Sequence, residues 1–314
     1  MTEQRGLLTE GFRRTWHYQR VLWFMFVISF VFGHFSAGPV THKLDGVLDH
    51  SQQSQRLTGM FDYGTFSALA SDPQVKLFEV ANVSIAFSVV FFFVVLFLTG
   101  GILEAYRSGR KLTTREFFEA CGAYFWRWVR LLIMMLIVMI PPLLLLGPVT
   151  DKPGSMLISA AQEKTGLGLI FGGFAVIGLI LMCIRLWFDM AQVRAVVEEE
   201  TGMWRNAGRA FKLTFGNFGS LFWMYLRISI VGWIVLALGL YIWAKMPPAR
   251  SQLTFLVLEL VVLCGFGTRL WQRACEMVWY QRRFLAPLQT PVPVPAAPVP
   301  GILVTIAPPS EPEN

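Results

Sequence analysis

The sequence predicts an all-α, polytopic membrane protein: a bundle of about six transmembrane helices arranged as three tandem, parallel helical hairpins with amphipathic interfacial helices. Three observations carry this. Of 314 residues, 54% are hydrophobic and only 15% charged, with a mean hydropathy of +0.53, which excludes an ordinary soluble enzyme. Six windows are as long as the roughly 20 apolar residues that a bilayer core of about 30 Å requires. Stretches of the chain also align with one another at fixed offsets.

The windows fall near 20–40, 79–103, 126–148, 166–188, 218–243 and 253–275. They lack the strict alternation of barrel strands, so their backbone polar groups must be satisfied within helices. The first lies behind Arg5, Arg13, Arg14 and Arg20 and no small-residue cleavage site follows it, so it reads as an uncleaved anchor rather than a signal peptide. Residues 1–19 form an amphipathic lead-in and 20–286 the six-helix domain, with an external loop at 41–78 and cytoplasmic connections at 104–125 and 189–217. Residues 287–314 are a Pro-rich tail of polyproline type, expected to be disordered.

Basic residues set the expected orientation. Nineteen Lys and Arg lie before the first span, after the last, or on the connections 2–3 and 4–5, against seven on the other side. The positive-inside rule then places both termini in the cytoplasm, in the inner membrane of a bacterium. The net charge of +7 is thereby accounted for by topology and calls for no nucleic-acid partner. Cys121, Cys183, Cys264 and Cys275 contain no CxxC and read as structural thiols.

Displaced by 97 positions, residues 115–138 and 212–235 share eight identities, among them Gly122/Gly219, Trp126/Trp223 and Arg130/Arg227. A weaker match overlays 11–26 on 210–225. Spans four and six share Arg-Leu-Trp at 185–187 and 269–271. Three related hairpins, each preceded by an amphipathic cytoplasmic segment, are the economical reading. Phe118, Gly122, Phe125 and Trp126 share one face of such a segment. Pro141-Pro142 and Pro247-Pro248 are expected to end or kink spans three and five.

Charge inside a bilayer is costly and marks candidate sites. Arg227 and Glu259 are placed at depths from which they would form an ion pair. Arg130 and Arg185 both have Asp189 as a candidate partner. Alternatively Arg130, Arg185, Arg227 and Arg269, all in the cytoplasmic halves of their spans, build a basic vestibule for an anionic lipid or solute. His42, Asp45, Asp49 and His50 have a spacing that metal ligands use, although solvated loop polars are the plainer reading. No catalytic, cofactor-binding or metal set is assigned: the sequence has no GxSxG, HExxH or Walker A pattern. Gly168, Gly172 and Gly173 suit close helix packing.

The stretch VRAVVEEETGMWRNAGRAFKLTFGNFGSLFWMYL (193–226), with GFRRTWHYQRVLWFMFVISF and GGILEAYRSGRKLTTREFFEA, resembles the membrane domain attached to bacterial glycerophosphoryl diester phosphodiesterases. The catalytic domain has no counterpart here, so the resemblance implies a multi-pass fold and carries over no activity and no site residue. The expected role is a non-catalytic membrane module, a scaffold or accessory subunit that contacts membrane lipids and a protein partner through its cytoplasmic helices or tail. The alternative is a transporter or lipid-handling protein built on the basic vestibule.

Overall fold

A computed structural model describes residues 2–48, 77–156, 163–247 and 250–285. Most of the external loop, including Asp49 and His50, and the tail 287–314 lie outside the described residues, as does the side chain of Asp45. The metal-spaced set is therefore not described. Every regular element among the described residues is helical: α1 (Thr2–His17), α2 (Gln19–Leu48), α3 (Leu77–Ser108), α4 (Thr114–Leu144), α5 (Leu146–Met156), α6 (Glu163–Val197), α7 (Met203–Gly216), α8 (Phe218–Lys245) and α9 (Ser251–Tyr280), closed by a π-helical turn, Gln281–Leu285. Six stretches, carried by α2, α3, α4 with α5, α6, α8 and α9, are long and apolar enough to cross a membrane.

The helices pair as neighbours in sequence, α2 with α3, α5 with α6, and α8 with α9. The second members, α3, α6 and α9, touch one another at the centre. Each is also covered by the segment that leads into a following span: α4 lies on α3, α7 on α6, and α1 on α9. The first helix thus seals against α9, and the ring is closed.

Two lead-ins are broken from their spans and one is not. The helix is interrupted at Tyr18, between α1 and α2, and at Asn217, between α7 and α8. These breaks lie at equivalent positions of the weaker alignment, 11–26 on 210–225. By contrast α4 runs unbroken from Thr114, so the connection expected at 104–125 contracts to 109–113. A capping box starts it: Thr113 N donates to Glu116 Oε2 at 2.8 Å and Glu116 N donates to Thr113 Oγ1 at 3.3 Å, giving two helix-end donors acceptors. Gly109, at φ +66°, makes the tight exit from α3 that a side chain would resist.

Prolines act differently at the two sites. Pro141-Pro142 lie inside α4, which continues to Leu144 before Leu145 N–H turns back to Pro142 O. α8 ends at Lys245, and Met246, held extended by the following Pro247, stops it. Pro248 is outside the described residues.

The packed core gathers where α1, α7 and the C-terminal turns of α3, α6 and α9 meet, here called the basic end. Leu103 and Tyr106, Phe188 to Val196 except the half-buried Gln192, and Ala274 to Tyr280 are buried there. Toward the opposite end α6 is largely exposed, the burial expected of spans that face lipid. The aromatic face of α4 also turns outward, Trp126 being 68% exposed, while Cys121, Tyr124 and Trp128 form its packing face. Lipid is as apolar as any core, so hydrophobicity alone does not identify the packed side.

Close approach favours glycine at several crossings, among them Gly101 of α3, where a Cβ would stand 2.7 Å from Cys121 Sγ and from the Phe117 ring of α4. A Cβ on Gly11 would stand 2.3 Å from Cys275 Sγ and 3.1 Å from Cys275 N, one on Gly239 2.2 Å from Val261, and one on Gly173 2.3 Å from Val149. Gly168 and Gly172 have no such neighbour. The four cysteines are free thiols.

Candidate functional site: a charged cleft between the spans

The site is assembled by the two Arg-Leu-Trp motifs. Leu186 and Leu270 point into the core. Trp187 Nε1 donates to Ala207 O of α7 at 2.8 Å, and Trp271 Nε1 donates to Leu8 O of α1 at 2.9 Å. One turn further on, Asn206 Nδ2 donates to Ala191 O at 2.7 Å. With successive residues about 100° apart, anchoring each Trp to its covering helix fixes the rotation of α6 and α9. Arg185 and Arg269 are thereby both directed toward α8.

Next along each helix stand Asp189 and Arg273. Arg273 Nη2 lies 2.9 Å from Asp189 Oδ1, and Arg185 Nε 3.7 Å from Asp189 Oδ2. Arg273 Nη1 lies 3.9 Å from Glu276 Oε2. Glu276 is fully buried and neither of its oxygens has a hydrogen-bond partner. Arg269 forms no ion pair among the described residues.

Arg185, Asp189, Arg269 and Arg273 face a cleft of about 730 Å³ between α3, α4, α6, α8 and α9, with Glu276 buried outside its lining. The volume is within the size range of small-molecule sites. Its walls are apolar, with Phe92, Val95, Leu131, Met135 and Met182 prominent, and its polar side carries Arg185, Asp189, Arg269 and Arg273. Three guanidinium groups there face one carboxylate. A smaller lobe of about 410 Å³, between α8 and α9, shares Arg185, Tyr225, Ser229, Trp233 and Arg269 with it.

The four arginines singled out from the sequence therefore divide in two. Arg185 and Arg269 come together. Arg130 is on the outer side of α4, lining a separate groove with Glu200, Trp204 and Arg205. Arg227 has its guanidinium carbon 5.1 Å from the centre of the Trp223 ring. Asp189 pairs with Arg185 and not with Arg130. No ion pair joins Arg227 to Glu259. The contacts of Gly239 with Val261 and Gly232 with Thr268 set the register of α8 on α9, opposing Glu259 to Tyr241, about 21 Å along the axis from Arg227. The expected pair assumed span ends from hydropathy, and the real hairpin is displaced from them.

The basic end holds a second polar network. Arg14 Nη1 donates to Tyr106 O at 3.0 Å and to Gln281 Oε1 at 2.8 Å, and Gln281 Nε2 donates to Arg107 O at 3.2 Å. Arg107 pairs with Glu104 and Glu199, and Arg282 with Glu10. Glu198 accepts from Arg194 and from Tyr280 OH. The Arg194 guanidinium, followed by the Tyr280 hydroxyl, holds Glu198 below the usual carboxylate range against the opposing effect of burial. Arg107 does the same for Glu199. This network ties α1, α3 and the π-helical turn after α9 together.

Sequence reasoning missed Arg273, Glu276 and Tyr225 as members of the constellation. A signal existed for Arg273: it stands four residues after Arg269, as Asp189 stands four after Arg185, a spacing that shares a helix face. In comparisons with protein-family models, curated proteins and solved structures, the chain matches none.

Proposed function

We propose that the chain is a multi-pass protein of the bacterial cytoplasmic membrane, both termini cytoplasmic, that binds the anionic headgroup of a membrane lipid in the cleft and acts by binding rather than catalysis. The observation that carries this is Arg269, an exposed guanidinium at the apolar-walled cleft between the spans, beside Arg185, that forms no ion pair among the described residues. An uncompensated cation at that depth is expensive and is offset when an anion from the membrane meets it. The apolar walls suit acyl chains. Guanidinium groups remain charged and do not exchange protons in this pH range, and Asp189 is engaged by two of them, so the constellation is suited to holding an anion.

The nineteen-to-seven bias of basic residues supports the orientation. The matched breaks at Tyr18 and Asn217, the paired Trp anchors and the closure of α1 on α9 support three related hairpins.

The scaffold reading is favoured by one observation. α7 turns Trp204, Phe211 and Phe215 outward beside Arg205, Arg209 and Lys212, a face suited to the membrane surface or to a protein partner.

The two readings part in one measurement: lipid retained by the full-length protein purified in mild detergent, quantified by native mass spectrometry against zwitterionic lipid. Stoichiometric anionic lipid is expected, falling at least about tenfold with Arg269→Gln and unchanged with Arg130→Gln. Equal retention by wild type and Arg269→Gln would overturn the cleft and return α7 as the main interaction surface.

A further inference from the structure

The cleft is not a single cavity. Its larger part, about 730 Å³, opens between α3, α4, α6, α8 and α9, and the smaller, about 410 Å³, between α8 and α9. The five residues common to both, Arg185, Tyr225, Ser229, Trp233 and Arg269, form the place where the two meet. Cationic groups are concentrated at this junction, and each lobe leads from it along apolar surface. Val261, Val262 and Leu236 line the smaller lobe, as Val95, Leu131 and Met135 line the larger.

Resting on the reading of the cleft as an anionic-lipid site, we infer that its ligand is a two-chain phospholipid whose phosphate is taken between Arg269 and Arg185 and whose two acyl chains occupy the two lobes. One anionic centre with two diverging apolar arms is the shape the junction complements. Phosphate matches the donors: guanidinium groups present planar, directed N–H pairs to phosphate oxygens and hold them more strongly than neutral donors do. Asp189 contributes in the same direction. By engaging Arg273 at 2.9 Å and Arg185 at 3.7 Å it leaves Arg269 as the uncommitted donor. Tyr225 and Ser229, the other polar members of the junction, add hydroxyl groups for remaining headgroup oxygens.

Gly265 provides the test. It lines the smaller lobe, and a Cβ built there meets nothing within 4 Å, so a larger side chain enters the lobe without disturbing the α8–α9 crossing. The full-length protein in detergent is titrated with phosphatidylglycerol, its one-chain lyso form, oleate and inorganic phosphate, and bound species are counted by native mass spectrometry. Phosphatidylglycerol is expected to bind one to one, and Gly265→Phe to weaken it about tenfold while leaving the lyso form unchanged. Arg269→Gln is expected to weaken both.

Equal effects of Gly265→Phe on the one-chain and two-chain lipids would overturn the two-lobe assignment. Oleate bound in preference to phosphatidylglycerol, and lost with Arg269→Gln, would overturn the phospholipid while the anionic-lipid reading stands. Binding of phosphate alone would identify a soluble anion and overturn both, as would indifference of every probe to Arg269→Gln. Unchanged thermal unfolding of Gly265→Phe without lipid separates occupancy of the lobe from misfolding.

Discussion

Asp189 and Arg273 stand at equivalent positions of two matching motifs, Arg-Leu-Trp-Phe-Asp and Arg-Leu-Trp-Gln-Arg, and they pair with each other across the α6–α9 contact at 2.9 Å. Partners at matching positions in adjacent helices invite exchange. Asp189→Asn leaves Arg185 without its carboxylate and Arg273 with only the longer contact to Glu276, and is expected to cost about 3 kcal/mol. The double exchange Asp189→Arg with Arg273→Asp rebuilds the arrangement in mirror form, because Asp at 273 would stand four residues after Arg269 as Asp189 now stands after Arg185. It is expected to recover most of the loss. Thermal unfolding of the singles and the double in detergent checks this, and a double as unstable as the sum of the singles would contradict it.

The seal between the first and last helices depends on Gly11. Gly11→Val directs its side chain at both the sulfur and the backbone of Cys275, and the backbone has nowhere to go. A loss of about 2 kcal/mol is expected. Gly122→Ala, on the open face of α4, should be neutral or stabilising by up to about 1 kcal/mol through helix propensity alone.

The Trp anchors are expected to be separable. Trp271→Phe removes the hydrogen bond to Leu8 O and Trp187→Phe the one to Ala207 O, each about 1 kcal/mol. The first should expose the α1–α2 junction near Tyr18 to protease and the second the α7–α8 junction near Asn217. Limited proteolysis with mass mapping reads this directly, and cleavage at the same site in both variants would contradict it.

Arg227 and Glu259 should prove energetically independent. A double-mutant cycle with Arg227→Gln and Glu259→Gln is expected to give a coupling within about 0.5 kcal/mol, as for groups beyond contact distance. A coupling well above that would mean that α8 and α9 pack in a different register.

Acid sensitivity has an identifiable contributor at the basic end. Glu198 titrates below its usual value of about 4.5 in the folded protein because Arg194 and Tyr280 favour its charged form. Its contribution is therefore complete above the ordinary carboxylate pKa and disappears as pH falls through the lower, folded-state value. Glu198→Gln should be less stable than wild type at neutral pH, and the two stability curves should converge as pH falls below the lowered folded-state value. The difference is expected to be small, since the side chain is partly solvent-exposed and screened.

The number of spans, and the charge bias that suggests their orientation, were legible because both are summed over neighbouring residues: twenty apolar side chains in a row need no partner to be recognised. The two helix breaks were not read from the sequence, although they fall at equivalent positions of the alignment of 11–26 with 210–225, which has only four identities. The stronger match, 115–138 on 212–235, did not transmit the break to α4. Composition around 120 continues a helix, whereas Gly216-Asn217 interrupts one.

The meeting of charges was not legible. Sequence placed Arg130, Arg185, Arg227 and Arg269 at related depths, and depth is a local quantity. Whether two side chains at one depth meet depends on the rotation of each helix and on hairpin register, which are settled by contacts far apart in the chain. Trp187 against Ala207 and Trp271 against Leu8 turn Arg185 and Arg269 to the same cleft. Gly239 against Val261 slides Glu259 out of reach of Arg227. The sequence by itself determined that the chain forms six membrane-length helices, since the cost of unpaired backbone in lipid leaves an apolar segment of this kind no other choice. Only the tertiary structure decided which of their charges share a site, because in a medium as apolar as the core, packing and a few directed hydrogen bonds select the buried face.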